Sequence, residues 1–205
     1  MKLSILMPVF NEVSSIAAVV KRVQAVPLDL EIVLVNDASS DGTSYVVDKL
    51  ACAGLKIIHH PSNHGKGAAV RTALEAATGD VIVIQDADSE YDPEDLPRLM
   101  TPIAEGQADV VYGVRSLKTQ KLAMRLGNKF VTLVANVVYG QRLKDVETCY
   151  KMMRRDIALS LNLECCRFDV EVEITAKLLR AGYVIQEIPI SYTARYENKD
   201  RKSVV

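Results

Sequence analysis

Apolar and polar positions alternate in two regimes along this chain. Over residues 1–113, short runs of β-branched and aliphatic residues recur between longer amphipathic stretches. The runs are continuous rather than alternating, as strands buried on both faces require. They predict strands at Leu3 to Val9, Glu31 to Asn36, Lys56 to His60, Val81 to Gln85 and Asp109 to Val114. The stretches between them predict helices at about Ser14 to Val26, Asp41 to Ala53, Gly65 to Ala77 and Pro93 to Glu105, with Pro27, Gly54, Gly79 and Gly106 as stop signals. Strand and helix in strict alternation imply an α/β fold, a mostly parallel sheet with helices on its faces.

After Gly113 the rhythm changes. One helical pattern runs from about Leu117 to Tyr139 and closes at Gly140. Lys118, Lys121, Arg125 and Lys129 follow helical spacing on it, beside an apolar stripe of Leu126, Phe130, Leu133 and Val137. A further helix, Asp169 to Ala181, ends at Gly182, and a strand at Val184 to Ile190 leads into a basic tail, Arg195 to Lys202. The 205 residues suit one domain.

Composition places the chain among soluble globular proteins, with 49% hydrophobic and 25% charged residues. Cys52, Cys149, Cys165 and Cys166 form no CxxC pair, so a disulfide framework or zinc site is not expected and a reducing cytosol fits. The longest apolar candidate, Val131 to Tyr139, is too short to cross a bilayer. Net charge is −1, against a general nucleic-acid binder, yet residues 1–113 carry 8 Lys/Arg and 16 Asp/Glu while residues 114–205 carry 17 and 10. From Arg115 to Arg155 ten basic residues face two acidic ones. A chain divided this way can hold a cation with one half and an anion with the other, or simply present two differently charged faces to water.

Open parallel sheets bind ligands at the carboxyl ends of their strands. Three acidic motifs fall there: Pro8 to Glu12 after the first strand, Asn36 to Ser39 after the second, and Asp86-Ala87-Asp88 after the fourth. Singly, each reads as a turn or helix cap, and Asp37 or Asp41 could serve as no more than that. Together they point to one site. Two carboxylates leaving a rigid strand are the hard oxygen ligands that Mg²⁺ or Mn²⁺ selects when it bridges a diphosphate. Gly65-Lys66-Gly67 lacks the spacing of a phosphate-binding loop and reads as a helix start, with Lys66 and Arg71 as structural or donor contacts. His59, His60 and His64 lack metal-site spacing, and Cys165 and Cys166 read as reduced packing residues.

LSILMPVFNE, VNDASSDGT, NHGKGAAVRTAL and QDADSEYDPEDL, in that order, resemble a family 2 glycosyltransferase of the GT-A fold, within it most closely the dolichyl-phosphate mannose and glucose synthases. The resemblance continues through YGVR, DVETCYKMMRR, FDVEVEITAKLLRAGY and IPISYTAR. It implies a single GT-A domain over 1–205, with a nucleotide-sugar half (1–113) and an acceptor-side half (114–205). It further implies that Pro8, Phe10 and Glu12 cup the nucleoside, that Asp37 beside Val35 approaches the base, and that Asp86 sits near the ribose or sugar. Asp88, with Asp86 and Ala87 in the same block, would hold the metal. Glu90 stands where the mannose synthases carry a metal-assisting Gln, so no Gln-type ligand is available and Glu90 is the candidate substitute for it as a metal ligand. Arg115 and Arg195 would contact donor phosphates. Cys149 replaces a glycine usual in that block, while Asp145 and Lys151 are intact.

The expected activity is inverting transfer of a hexose from a nucleotide sugar, UDP-glucose or GDP-mannose, to a polyprenyl phosphate. Mg²⁺ or Mn²⁺ would act as cofactor, on the cytosolic face of a membrane reached peripherally through the basic helix face. The alternative acceptor is a saccharide hydroxyl, for which Asp145 is the best base; otherwise Asp145 caps its turn and pairs with Lys151. A sugar-1-phosphate nucleotidyltransferase would need a glycine-rich loop where PVFNE stands. Sugar, base, acceptor and self-association into a homo-oligomer stay open at this point.

Overall fold

The computed structural model describes residues 1–50, 54–117 and 122–194. Its elements run β1 (Leu3–Val9), α1 (Ile16–Gln24), β2 (Leu30–Asn36), α2 (Thr43–Asp48), β3 (Leu55–His59), α3 (Lys66–Ala76), β4 (Val81–Ile84), α4 (Leu96–Ala104), β5 (Val110–Arg115), α5 (Leu122–Tyr139), β6 (Lys151–Arg154), α6 (Arg155–Ser160), α7 (Val170–Arg180) and β7 (Ile185–Ile190). One sheet has the order β3-β2-β1-β4-β6-β5-β7. β1 to β4 pair in parallel, as does β5 with β7, while β6 lies antiparallel between β4 and β5. This is the mostly parallel, helix-flanked sheet that the sequence predicts. β6 and α6 are additions to it: four residues, KMMR, are too few to show a period.

β1 and β4 are buried almost end to end, as are the inner residues of β2. Each Val, Leu or Ile so removed from water is worth about 1.5–3 kcal/mol, which makes this three-strand block the rigid part of the molecule. The chain order reverses between β1 and β4, whose neighbours β2 and β6 come from opposite directions in the sequence. The loops beyond β1 and β4 therefore diverge and leave a crevice at the carboxyl edge.

The amino edge is locked by a single carboxylate. Glu31 accepts from Lys2 Nζ (2.7 Å), Ser4 Oγ (2.6 Å), Thr78 N (2.6 Å) and Thr78 Oγ1 (2.8 Å). Burial raises its pKa, but these donors together outweigh that and hold it down to about 2.

Helix α5 departs from expectation in orientation. Lys118 and Lys121 of the basic stripe lie outside the described residues, as do Cys52 and the Arg195 to Lys202 tail. Of the two described basic residues Arg125 is half-buried and Lys129 exposed, and the apolar stripe, expected against the domain, faces outwards as well. Among the described residues no helix is long and apolar enough to cross a membrane.

Candidate active site

The first two strand-end loops are stitched into one wall. Asn11 N donates to Ser39 Oγ (2.9 Å), Ser40 N to Asn11 Oδ1 (2.8 Å) and Glu12 N to Thr43 Oγ1 (2.9 Å), which joins the first loop to the second. Asp41 plays the turn role considered for it, accepting from Thr43 N. Each of the three strand-end loops holds one non-glycine residue at positive φ: Asn11 (53°), Ala38 (56°) and Ser89 (63°). Such residues cost on the order of 1 kcal/mol or more and persist where surrounding structure enforces them, commonly at functional sites.

Between the loops lies a cavity of about 400 Å³ lined by Pro8, Phe10, Glu12, Asp37, Asp86, Ala87 and Asp88, among others. Seven residues that the resemblance assigns to the donor thus share one cavity. Val35 does not reach it, being fully buried on β2 opposite Pro8. Gln85 braces the acidic block from behind: its Nε2 donates to the Asp86 carbonyl (2.9 Å) and its Oε1 accepts from Tyr150 Oη (2.6 Å). Asp88 lines the cavity and also closes a tight turn, accepting from Glu90 N (3.1 Å). Glu90 turns elsewhere, accepting from Tyr192 Oη (2.7 Å), while its carbonyl receives Thr193 N (3.0 Å). It therefore ties the acidic loop to the segment that follows β7.

Asp37 is almost fully buried and organises the neighbouring loop. Its carboxylate pairs with His60 Nδ1 (2.7 Å) and accepts from the amides of His64 (2.9 Å) and Gly65 (2.7 Å). That loop delivers Lys66, whose ammonium lies 2.6 Å from Asp86 and 2.5 Å from Glu171. Desolvation lowers the Lys66 pKa, yet the two carboxylates outweigh it and hold it well above the ordinary value. Glu171 Oε2 is buried without a hydrogen-bond partner.

Gly65-Lys66-Gly67 is a packing device as well as a helix start. A Cβ on Gly67 would fall inside contact distance of the Cys165 carbonyl oxygen, and one on Gly65 inside that of Cys166. The close approach is fastened by Ala68 N to Cys166 O (3.2 Å) and by Arg71 to the carbonyls of Glu164 and Cys165. It carries Arg167 and Phe168 into the cavity wall. The lining then holds four carboxylates, Glu12, Asp37, Asp86 and Asp88, and two cations, Lys66 and Arg167.

A second cluster adjoins the first. Arg115, at the end of β5, clasps Asp145 with Nε to Oδ2 (2.7 Å) and Nη2 to Oδ1 (2.8 Å), and its own amide also donates to Oδ2 (3.2 Å). Burial would lower the Arg115 pKa, but the Asp145 hydrogen bonds reverse this and raise it. The expected Asp145–Lys151 pair is not formed. Lys151 is fully buried on β6, donates to the Val146 carbonyl (2.6 Å) and lies over the Tyr112 ring (4.1 Å). Desolvation lowers its pKa to about 8. Burial raises the carboxyl of nearby half-buried Glu147. Tyr91 links the clusters: its hydroxyl accepts from Cys149 N (2.9 Å) and its ring packs on Tyr150 and Tyr192. Cys149 fits without its family's glycine, its thiol donating to the Ile84 carbonyl (3.3 Å) at the end of β4. Arg195 lies outside the described residues.

A seven-stranded, mostly parallel sheet with a DxD-bearing cavity beyond β1 and β4 defines a GT-A glycosyltransferase domain. Residues 4–160 match the model of the family described as "Glycosyl transferase family 2", and the chain belongs to that family. It is 30% identical over 202 residues to the low-salt glycan biosynthesis hexosyltransferase Agl6 of Haloferax volcanii; the match covers 94% of this chain and 48% of that protein, so the chain spans about half its length. It is 27% identical to the undecaprenyl-phosphate mannosyltransferase of Micrococcus luteus, covering 99% of this chain and 88% of that one. The crystal structure of glucosyl-3-phosphoglycerate synthase from Mycobacterium tuberculosis, in complex with Mn²⁺, UDP and glucosyl-3-phosphoglycerate, superposes with a TM-score of 0.73 at 19% identity, over 95% of this chain and 72% of that one.

Proposed function

We propose that this chain transfers a hexose from a nucleotide sugar to a polyprenyl phosphate, with inversion at the anomeric carbon. The observation that carries the reading is the clasp of Arg115 on Asp145. Both oxygens of the carboxylate are engaged and buried, so the best sequence candidate for a general base is withdrawn from that work. An acceptor that is already anionic needs no base, since a phosphate monoester has its second pKa near ~6. The Micrococcus relative is named for mannose transfer with undecaprenyl phosphate, which supports the acceptor, and the Haloferax relative is named a hexosyltransferase of glycan biosynthesis, which supports the transfer of a hexose.

In this proposal the donor's nucleoside lies against Pro8, Phe10 and Glu12, which line the cavity together with the acidic block that its diphosphate would reach. Four carboxylates against two cations would repel a diphosphate, and Glu171 adds a further buried oxygen without a partner. Among the described residues, no three His, Cys, Asp or Glu side chains converge to hold an ion unaided. A Mg²⁺ or Mn²⁺ held by Asp88 and Asp86 would complete its coordination from the donor's phosphates. When bound, the ion neutralises charge that builds on the leaving diphosphate. Lys66 and Arg167 supply further positive charge beside it. An acceptor phosphate oxygen attacks the anomeric carbon from the face opposite the diphosphate; the new C–O bond forms as the old one breaks, and the nucleoside diphosphate leaves with the electron pair.

A saccharide hydroxyl acceptor is the second reading, and Glu147 is the observation in its favour: this half-buried carboxyl stands near the Arg115–Asp145 pair, and burial raises its pKa above the ordinary value. Transfer of labelled hexose to a polyprenyl phosphate and to a panel of saccharides decides between them. Turnover of the lipid phosphate by Glu147→Gln at near the wild-type rate supports the first reading. Turnover restricted to saccharides, and abolished in Glu147→Gln, would refute it. Peripheral association with the membrane that holds the lipid belongs to the same proposal.

A further inference from the structure

Helix α5 carries its polarity reversed. Thr132 is its buried residue, and Asn136, one turn on, exchanges two hydrogen bonds of 2.8 Å with the backbone of Leu143. These two polar positions thus face the protein. The opposite arc contains Leu122, Leu126, Phe130, Leu133, Val137 and Val138, each between 58% and 74% exposed. Ala123, Gly127 and Val134 fill the rest of that arc, so no polar side chain interrupts it. An ordinary surface helix shows the opposite arrangement. Single exposed apolar residues are commonplace, but a continuous strip along an 18-residue helix, about 27 Å in length, marks a surface made to be covered.

Charge selects the partner. Residues 116–144 hold six Lys or Arg and no Asp or Glu, and on the helix itself Arg125 and Lys129 border the apolar arc along one margin. A second copy of the chain packed across a two-fold axis would bring these cations together with no acidic side chain in that segment to pair with them. A bilayer containing anionic lipid meets both features: the arc enters the acyl boundary while the basic side chains reach the headgroups. In the chain the helix lies between Arg115, at the end of β5, and Asp145, the two partners of the ion pair beside the cavity.

We propose that the outward face of α5 docks in the plane of an anionic membrane and sets the acceptor side of the site against the lipid surface. The inference rests on the polyprenyl-phosphate reading for its purpose, although not for its evidence. It reassigns the membrane contact from the basic face expected of this helix to the apolar one, with cations at the margin.

The test is co-sedimentation of the whole chain with phosphatidylcholine vesicles, with and without phosphatidylglycerol. The proteins are wild type, Phe130→Ser/Leu133→Ser/Val137→Ser, and Arg125→Gln/Lys129→Gln. Wild type should partition preferentially onto the anionic vesicles. The triple variant should lose on the order of 100-fold in partitioning, and the double variant should lose the preference for anionic lipid. Because the three residues are exposed, the triple variant should keep its melting temperature and its rate on a short-chain, water-soluble polyprenyl phosphate; Val137→Ser alone gives a milder second variant. Unchanged partitioning of the triple variant, or wild type left in the supernatant, overturns the proposal. So does a wild-type dimer in sedimentation velocity that the triple variant dissolves. If vesicle binding follows the variants but no polyprenyl phosphate is turned over, the docking surface stands and the acceptor reading falls. If the soluble acceptor is turned over without vesicle binding, the acceptor reading stands and the docking surface falls.

Discussion

Replacing Lys66 with methionine isolates the electrostatics of the cavity. Its ammonium lies 2.6 Å from Asp86 and 2.5 Å from Glu171, and both it and Glu171 are about nine-tenths buried. Methionine keeps the unbranched stem and removes the charge. The variant leaves two neighbouring carboxylates without their shared cation, and breaking a buried pair in this way typically costs about 3–5 kcal/mol. Urea unfolding at pH 7 should show that loss in the absence of ligand. A divalent ion at Asp86 and Asp88 supplies the missing charge, so Mn²⁺ with a nucleoside diphosphate should stabilise Lys66→Met by more than it stabilises wild type. The excess should be at least about 1.4 kcal/mol, equivalent to tenfold tighter binding at equal ligand concentration. An unaltered unfolding free energy in the variant would refute the buried-pair argument. Equal stabilisation of both proteins by Mn²⁺ and nucleotide would refute the placement of the ion beside Asp86.

Three further outcomes follow from other parts of the molecule. Glu31→Gln should cost about 2 kcal/mol at neutral pH, after allowing for its partial exposure, without altering donor affinity. Because the folded pKa is about 2 against 4.5 unfolded, this stability is present above pH 4.5 and fades as pH falls towards 2, which urea titrations of both proteins would show. Lys151 has the reverse sign: its folded pKa of about 8 lies below the ordinary 10.5, so wild type should gain stability relative to Lys151→Met as pH rises through that interval. A constant difference across it would count against the buried ammonium. Gly67→Ala should destabilise by about 1–3 kcal/mol and weaken nucleotide binding, since the Cys165 carbonyl must move and takes Arg167 and Phe168 with it; full affinity in a folded variant would contradict that coupling.

The donor side is legible in the sequence because its chemistry is local. Pro8 to Glu12 and Asp86 to Asp88 each follow a continuous apolar run, and parallel pairing of β1 with β4 brings their ends together without further information. What the sequence conceals depends on contacts between distant residues. Glu171 looks like an ordinary acid in the first turn of α7, and only the path of Lys66 makes it part of the cavity. Arg167 and Phe168 enter through the approach of Gly67 to Cys165, nearly a hundred positions away in the chain. Proximity in sequence pairs Asp145 with Lys151, but β6 buries Lys151 in the sheet, and β5 brings Arg115 to the carboxylate instead. For α5 both stripes are visible in the sequence, but their orientation is set by Thr132, Asn136 and the Leu143 turn.

The central claim is that the cavity beyond β1 and β4 holds a nucleotide sugar through an ion at the acidic block. Calorimetric titration of UDP-glucose and GDP-mannose into wild type and Asp88→Asn, each with and without Mn²⁺, tests it most directly. One donor should bind wild type in the presence of Mn²⁺ and at least tenfold more weakly without it, and Asp88→Asn should behave alike in both conditions. Binding of equal strength with and without the ion, or an Asp88→Asn variant that keeps the full Mn²⁺ response, would contradict it.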